Sequence, residues 1–274
     1  MNTDMTAAQD TGMDKSLPYF GLIMTQDAPA VHPAFPLPEG YAFSPFRAEY
    51  ILAWARLQTA VGQMENVPDA VRCFIRDFLL TDAFITPADR PSETDAAADI
   101  PGRQSENTMP YNSGIAVPDA ERFTNAVLDG KDLSAYLAAC PAYEKMRRRV
   151  LFLTAPDGTL AATGALWDGD TFGEMRPLLY WIAADPQHQG KGLGKALLSG
   201  LFDLYDREGL TGGIYLITQT WSPRAVRLYM RFGFAVYPGP RPKNWAFEEK
   251  LQDPAAGFDF EKNMRTVRRI LGVF

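Results

Sequence analysis

Three glycines at alternate positions, Gly190, Gly192 and Gly194, separate an apolar stretch of the chain from an amphipathic one. Glycine has no Cβ atom, so a ligand can approach the backbone closely at each of these positions. Where a helix begins after such a turn, several backbone N–H groups have no acceptor inside the helix and can bind an anion together. Lys191 and Lys195 add positive charge to the same short segment. The spacing therefore predicts a cradle for a pyrophosphate group.

The glycine spacing also distinguishes between classes of pyrophosphate site. A Walker A loop needs the pattern G-x-x-x-x-G-K-[ST], which does not occur in this sequence. The dinucleotide fingerprint G-x-G-x-x-G opens an early βαβ unit, whereas the spacing here is G-x-G-x-G. It also comes late in the chain, after two apolar stretches joined at Asp157-Gly158, which predicts a hairpin. A nucleotide-binding oxidoreductase is therefore the weaker interpretation, and it stays open as an alternative.

Two segments of the chain match the motifs of one enzyme family. Residues 189–194, Gln-Gly-Lys-Gly-Leu-Gly, fit the pattern Q/R-x-x-G-x-G/A. This segment resembles the coenzyme A pyrophosphate loop of the GNAT superfamily of N-acetyltransferases. Residues 222–234, Ser-Pro-Arg-Ala-Val-Arg-Leu-Tyr-Met-Arg-Phe-Gly-Phe, are similar to that family's N-x-x-A-x-x-L-Y-x-x-x-G-F segment. The resemblance covers residues 41–250, apart from an insertion at about 86–114.

The resemblance implies an α/β fold with a GNAT-like mixed sheet, flanked by helices, in which two central strands splay apart. These strands would be residues 178–184 and 214–220, which are rich in apolar and aromatic side chains. The pantetheine arm of acetyl-CoA, the co-substrate that the resemblance implies, would lie between them. Residues 1–40 and 251–274 are expected to be extensions on either side of an acyltransferase domain at 41–250.

The resemblance assigns the binding of acetyl-CoA mainly to backbone groups of the first splayed strand and of the glycine turn. A strand edge can recognise an extended ligand in the way it pairs with another strand. Ser222 stands where the family more often has Asn, and a serine before a proline is also predicted to cap a helix. The expected cofactor-binding residues are Ile182, Ala183, Ala184, Gln189, Gly190, Lys191, Gly192, Leu193, Gly194, Lys195 and Ser222.

Tyr229 is the expected catalytic residue, because the matching tyrosine of the family lies near the coenzyme sulfur. A phenol has an ordinary pKa of about 10, so at pH 7 it can protonate or hydrogen-bond a departing thiolate. The alternative is a core tyrosine whose ring only packs. Residues 178–184 contain no carboxylate and no histidine, so the sequence identifies no general base. Since no Ser/His/Asp or Cys/His constellation indicates an acyl-enzyme, direct transfer in a ternary complex is expected.

Composition and charge limit the partners of the chain. The 274 residues carry a net charge of −6, which argues against a nucleic-acid surface. Only two cysteines occur, Cys73 and Cys140, and they lack the spacing of metal ligands, so no metal site is expected. No apolar run is long enough to cross a bilayer, and residues 1–16 have no apolar core. A cytoplasmic location without membrane contact is therefore expected.

Together these observations predict an N-acetyltransferase that moves an acetyl group from acetyl-CoA to a primary amine. The acceptor is expected to be a small molecule, with a protein acceptor as the alternative, and the enzyme to be a monomer or homodimer. Because no general base is identified, a coenzyme A-binding regulatory module without catalysis also stays open.

Overall fold

The structure is a computed structural model that describes residues 13–27, 32–80, 120–245 and 260–272. The insertion expected at about 86–114 lies outside the described residues. Within the described ranges, no helix combines the length and the apolar composition that are needed to span a membrane.

The described residues form one mixed sheet of seven strands. In chain order the strands are β1 (Gly21–Gln26), β2 (Ala42–Ser44), β3 (Val150–Thr154), β4 (Leu160–Gly169), β5 (Arg176–Ala184), β6 (Ile214–Gln219) and β7 (Ala235–Val236). Their order across the sheet is β2-β3-β4-β5-β6-β1-β7. The pair of β5 with β6 is parallel, and the other pairs are antiparallel. The hairpin predicted at Asp157-Gly158 joins β3 to β4.

Helices cover both faces of this sheet. The helices are α1 (Tyr50–Ala60), α2 (Val67–Phe74) with a π-helical continuation (Ile75–Leu80), α3 (Ala120–Leu128), α4 (Ser134–Ala139), α5 (Tyr143–Arg149), α6 (Leu193–Arg207), α7 (Pro223–Arg231) and α8 (Phe260–Leu271). Side chains alternate between the two faces along β4. Leu166 packs in the core that contains α6 and α7, whereas Ala165 and Trp167 pack in the core that contains α1 and α2. The mixed α/β fold expected from the sequence is thereby confirmed.

β1 comes from the residues that were expected to form an N-terminal extension. It lies between β6 and β7 and pairs with β6 from Gly21, opposite Gln219, to Gln26, opposite Ile214. Its residues at 22–24 are fully buried in the same core as α6 and α7. The sheet therefore includes a strand that precedes the domain start proposed at residue 41.

The two central strands β5 and β6 separate after a short contact. They pair only where Leu178 lies opposite Tyr215 and Leu179 lies opposite Leu216. β5 then continues beside β4 as far as Ala184, without a further pairing to β6. The expected splay of the central strands is present, and it opens a cleft toward the C-terminal end of β5.

A β-bulge in β5 lies where the cleft opens. Ala183 faces Thr163 and Tyr180 faces Ala165, so β5 has one residue more than β4 between these two pairs. Trp181, inside this bulge, has φ of 49°, a left-handed conformation that few residues other than glycine adopt. The bulge therefore changes the direction of the strand at the apex of the cleft.

Candidate functional site

One edge of β5 has no strand partner where β6 has separated from it. The N–H of Asp185, just after β5, donates to the carbonyl of Ala161 at 2.8 Å. Because bonded and non-bonded positions alternate along an antiparallel pair, the backbone groups of Ala183 point to β4. Those of Ala184 point to the cleft. Of the three predicted binding residues in this strand, Ala184 thus directs its backbone groups to the cleft and Ala183 does not, while Ile182 lies inside the bulge.

Two glutamine side chains bind backbone carbonyls at the bulge. Nε2 of Gln58, in α1, donates to the carbonyl of Trp181 at 3.2 Å. Nε2 of Gln63, just after α1, donates to the carbonyl of Ile182 at 3.3 Å. Gln58 is fully buried, and its Oε1 has no hydrogen-bond partner among the described atoms. Neither glutamine was expected at the site, because both come from a helix layer far from β5 in the sequence.

A buried carboxylate also binds β5 at the apex of the cleft. Oδ2 of Asp77, in the π-helical segment, accepts hydrogen bonds from Tyr180 Oη at 2.7 Å and from Trp181 Nε1 at 2.9 Å. Its Oδ1 accepts from Arg76 Nε at 2.6 Å. Burial, together with the adjacent carboxylate, raises the pKa of Tyr180 well above its ordinary value, so its hydroxyl remains a donor. No local pattern in the sequence predicts this cluster, because Asp77 and β5 are about 100 residues apart.

The glycine turn precedes α6 and leaves a row of backbone donors exposed. Gly190 and Gly192 have φ of 78° and 85°, and a Cβ built at either residue would meet no atom within 4 Å. In the described part of the chain, the N–H groups of residues 190–194 donate to no acceptor. They lie at the N-terminal end of a helix of 15 residues, where the helix dipole is positive. The glycine spacing predicts that these five consecutive donors form an anion cradle, and the structure leaves their N–H groups without an acceptor among the described residues.

The two lysines of the turn lie on aromatic rings from an earlier segment. Nζ of Lys191 donates to Tyr41 Oη at 2.9 Å, and this hydroxyl is also hydrogen-bonded to His188 Nδ1 at 2.8 Å. Nζ of Lys195 lies 5.3 Å from the ring centroid of Phe35. Contact with the rings restricts the ammonium groups to positions beside the cradle. Tyr41 and Phe35 were not singled out in the sequence, because their contacts with the turn are long-range.

Tyr229 lies on the side of α7 that faces the core. Its ring packs against Phe234, with 6.2 Å between the ring centroids. The residue is 6% exposed, and burial raises the pKa of its hydroxyl above the ordinary value. That hydroxyl forms no hydrogen bond with any residue that the structure describes. The preceding Leu228 packs against Gly194, so the two motif segments are in contact. A protonated, unpaired hydroxyl at this place is available as a donor.

Ser222 occupies the position before α7, but its hydroxyl does not cap the helix. Its Oγ accepts from Gln219 Nε2 at 3.2 Å, and no N–H of the helix donates to it. The capping role predicted for this hydroxyl is therefore wrong, because the side chain turns back toward β6. The carbonyl of Ser222 still accepts from the N–H of Val226, and Pro223 starts the helix as predicted.

The remaining predicted binding residues flank the free N–H groups. The N–H of Gln189 donates to the carbonyl of Pro186 at 3.4 Å, which closes a short 3₁₀ turn (Pro186–His188) before the glycines. Leu193 is buried in the core, so only its backbone can contribute to the cradle. Ala184 thus lies in one wall of the cleft, and residues 189–195 lie just after that wall.

Part of the chain is similar to a known protein family. Residues 118–234 match the model of the acetyltransferase (GNAT) family. The mycothiol acetyltransferase of Nocardiopsis dassonvillei is 42% identical over 94 residues, which are 31% of this chain and 27% of that protein. The mycothiol acetyltransferase of Nocardia farcinica is 40% identical over 84 residues, 30% of this chain and 26% of that protein. The chain therefore spans about a quarter of the length of these curated relatives.

Among solved structures, the GCN5-related N-acetyltransferase from Sphaerobacter thermophilus is 18% identical to this chain, with a TM-score of 0.42. The alignment covers 80% of this chain and 50% of that one. The residues matched by the family model contain the cleft between β5 and β6, the glycine turn and Tyr229. The resemblance to the GNAT family of acetyltransferases that the sequence indicated is therefore confirmed over residues 118–234.

Proposed function

We propose that this chain transfers an acetyl group from acetyl-CoA to a primary amine. The observation that carries the proposal is the row of five N–H groups at residues 190–194, which lies inside the segment matched by the family model. A pyrophosphate presents several anionic oxygens, which suit a row of donors at a helix N-terminus. The open space beside Gly190 and Gly192 lets such a group approach the backbone.

The cleft supports binding of the pantetheine arm of acetyl-CoA. This arm carries amide groups, which can pair with the free edge of β5 as another strand would. The carbonyl of Ile182 already accepts from Gln63. We therefore assign the pairing to the N–H and carbonyl of Ala184. With the pyrophosphate at residues 190–194, an extended arm would direct its thioester toward the apex of the cleft, near Trp181.

Acetyl-CoA supplies the thioester carbonyl that an amine attacks, and a thiolate leaves. We assign Tyr229 the stabilisation of that thiolate, because its hydroxyl is unpaired in the described structure and burial keeps it protonated. A thiol has an ordinary pKa of about 8.5, well below that of a buried phenol. Complete proton transfer from Tyr229 is therefore uphill, and hydrogen bonding to the thiolate is the role that the chemistry favours.

The proton released by the amine needs another acceptor. Asp77 is bound by Arg76, Tyr180 and Trp181, so its oxygens are not available for this role. We propose that water relays the proton during direct transfer in a ternary complex. For the acceptor we propose a small molecule, which agrees with the name of the curated relatives, mycothiol acetyltransferase.

Two measurements test the proposal. Saturating acetyl-CoA should raise the melting temperature by about 5 °C or more, since ligand at a hundred times its Kd adds about 2.7 kcal/mol of stability. NAD and ATP should produce no shift. Release of free thiol from acetyl-CoA should then follow addition of one member of a panel of small primary amines.

The outcomes separate the alternatives. A shift with NAD but not with acetyl-CoA would favour a nucleotide-binding oxidoreductase. A shift with acetyl-CoA without thiol release in the presence of any amine would favour a coenzyme A-binding module. A protein that responds to none of these compounds would contradict the assignment of the cradle.

A further inference from the structure

The left-handed residue in β5 is held by groups from the helix layer. Trp181 has φ of 49°, and its indole Nε1 donates to Asp77 while its carbonyl accepts from Gln58. Its ring also lies edge-on to Trp54 of α1, at 5.3 Å between centroids. A strained backbone conformation persists only where contacts with the surrounding structure stabilise it by more than the strain costs. Here the stabilising contacts come from α1 and from the π-helical segment after α2.

The contacts of Asp77 show which form of β5 it stabilises. In a regular strand, consecutive side chains point to opposite faces of the sheet. Tyr180 and Trp181 are consecutive, yet both donate to the same oxygen, Oδ2 of Asp77, at 2.7 and 2.9 Å. Both side chains can reach one carboxylate oxygen because the bulge rotates the strand between them. Asp77 therefore binds the bulged form of β5 and not the regular form.

The electrostatic surroundings show that this carboxylate serves the fold of the site and not a ligand. Asp77 is 7% exposed, and its second oxygen is bound by Arg76 at 2.6 Å. Arg76 also donates to the sulfur of Cys73, whose thiol lies 3.5 Å from Oδ2. Each carboxylate oxygen thus has a donor from the protein itself, which a buried charge requires.

We propose that Asp77 is a positioning residue that sets the acyl end of the cleft. By binding Tyr180 and Trp181 together, it holds the bulge that shifts the pairing of β5 with β4 by one residue between Tyr180 and Ala183. The strands meet at Leu179 and the glycine turn follows Ala184, so the bulge lies at the end of the cleft opposite the cradle. The effect of Asp77 on turnover rests on the proposed acetyl transfer, whereas its effect on the structural half of the inference, the bulge in β5, does not.

The test compares Asp77→Asn with Asp168→Asn. Asp168, at the far end of β4, forms ion pairs with Lys145 and Arg149, so its substitution also removes a half-buried charge. In Asp77→Asn we expect amide hydrogen exchange at residues 181–184 to rise at least tenfold and turnover to fall at least tenfold. The Kd for acetyl-CoA should change by less than about threefold, because the cradle is intact. Asp168→Asn should lose thermal stability without either effect.

Other variants keep the test valid if Asp77→Asn does not fold. Tyr180→Phe and Trp181→Phe each remove one donor and leave the pair of Asp77 with Arg76. We therefore expect each variant to raise amide exchange at residues 181–184 about threefold and to lower turnover about threefold. Unchanged amide exchange at 181–184 would overturn the inference, whatever reaction the chain catalyses. Faster exchange with wild-type turnover would overturn the role of Asp77 in catalysis. Absence of acetyl-CoA binding and thiol release in the wild type would instead overturn the proposed function, while amide exchange still decides the structural half.

Discussion

Gly194, in the first turn of α6, faces Leu228 of α7 so closely that a Cβ on Gly194 would lie 2.9 Å from Leu228 Cδ2. Leu228 is followed by Tyr229, so this contact joins the cradle to the proposed catalytic hydroxyl. The absence of a side chain at residue 194 therefore lets α6 and α7 approach each other closely.

Substitution of Gly194 by alanine tests this contact. Alanine favours a helix over glycine by about 0.5 to 1 kcal/mol, whereas an extra carbon in a packed contact costs about 1 to 3 kcal/mol. We therefore expect Gly194→Ala to lower the free energy of unfolding by up to about 2 kcal/mol. In a Leu228→Ala background the same change should become neutral or stabilising, which a double-mutant cycle in urea would measure. Additive effects of the two substitutions would contradict the contact.

The two ends of α6 offer a matched pair of glycines. Gly192 and Gly209 have φ of 85° and 63°, and a Cβ at either would meet no atom within 4 Å. Alanine should therefore cost about 1 to 2 kcal/mol of stability at each position, through backbone strain alone. We expect Gly192→Ala also to raise the Kd for acetyl-CoA at least tenfold, since its methyl group enters the cradle. Calorimetric titration should show wild-type affinity for Gly209→Ala, and equal affinities for both variants would refute the cradle.

The hydroxyl of Tyr229 can be separated from the ring by Tyr229→Phe. Since no described residue bonds to this hydroxyl, we expect the stability to change by less than about 0.5 kcal/mol, while turnover falls about tenfold or more. The Kd for acetyl-CoA should not change. Tyr215 is the control, because its buried hydroxyl bonds to Thr171 Oγ1 at 3.1 Å. Tyr215→Phe should cost about 1 kcal/mol of stability and leave turnover unchanged. Wild-type turnover in Tyr229→Phe would return this residue to a packing role.

Buried tyrosines should make the protein less stable at alkaline pH. Burial raises the pKa of Tyr215 to about 12 and that of Tyr229 further above its ordinary value. In the unfolded chain these phenols ionise near pH 10, so above that pH the unfolded state binds fewer protons than the folded state. The contribution of the two tyrosines to the free energy of unfolding is complete below pH 10 and is lost as pH rises. At pH 11 the loss is about 1 kcal/mol for each tyrosine. Urea midpoints between pH 8 and 11 should therefore fall less steeply for Tyr229→Phe than for the wild type. Parallel curves would show that Tyr229 titrates normally in the folded state.

Local signals in the sequence were sufficient for the elements that carry the two motifs. The hairpin at Asp157-Gly158, the helix after the glycines, and the helix that starts at Pro223 all depend on residues within a few positions of one another. The splay of β5 and β6 came from the family resemblance and was confirmed. These features are the ones that position the cradle and Tyr229.

The rest of the site depends on contacts between distant parts of the chain. Tyr41, Gln63 and Asp77 reach the glycine turn and β5 from segments that lie 100 or more residues earlier. No local pattern distinguishes a glutamine that binds a strand carbonyl from one that faces water. The bulge at Trp181 could not be predicted either, because an apolar strand sequence does not show where an extra residue is inserted. The hydroxyl of Ser222 failed as a cap because Gln219 competes for it.

The position of β1 in the sheet has a consequence for synthesis of the protein. Thr25 pairs with Tyr215, roughly 190 residues later in the chain, and β7 then pairs with β1. On the ribosome, β1 is therefore made long before either of its partners, and its apolar side chains stay without a core until α7 has emerged. Such distant pairing slows folding and exposes the nascent chain to aggregation or to chaperones. The core around Tyr229 is thus completed only after the segments that form β6, α7 and β7 have been synthesised.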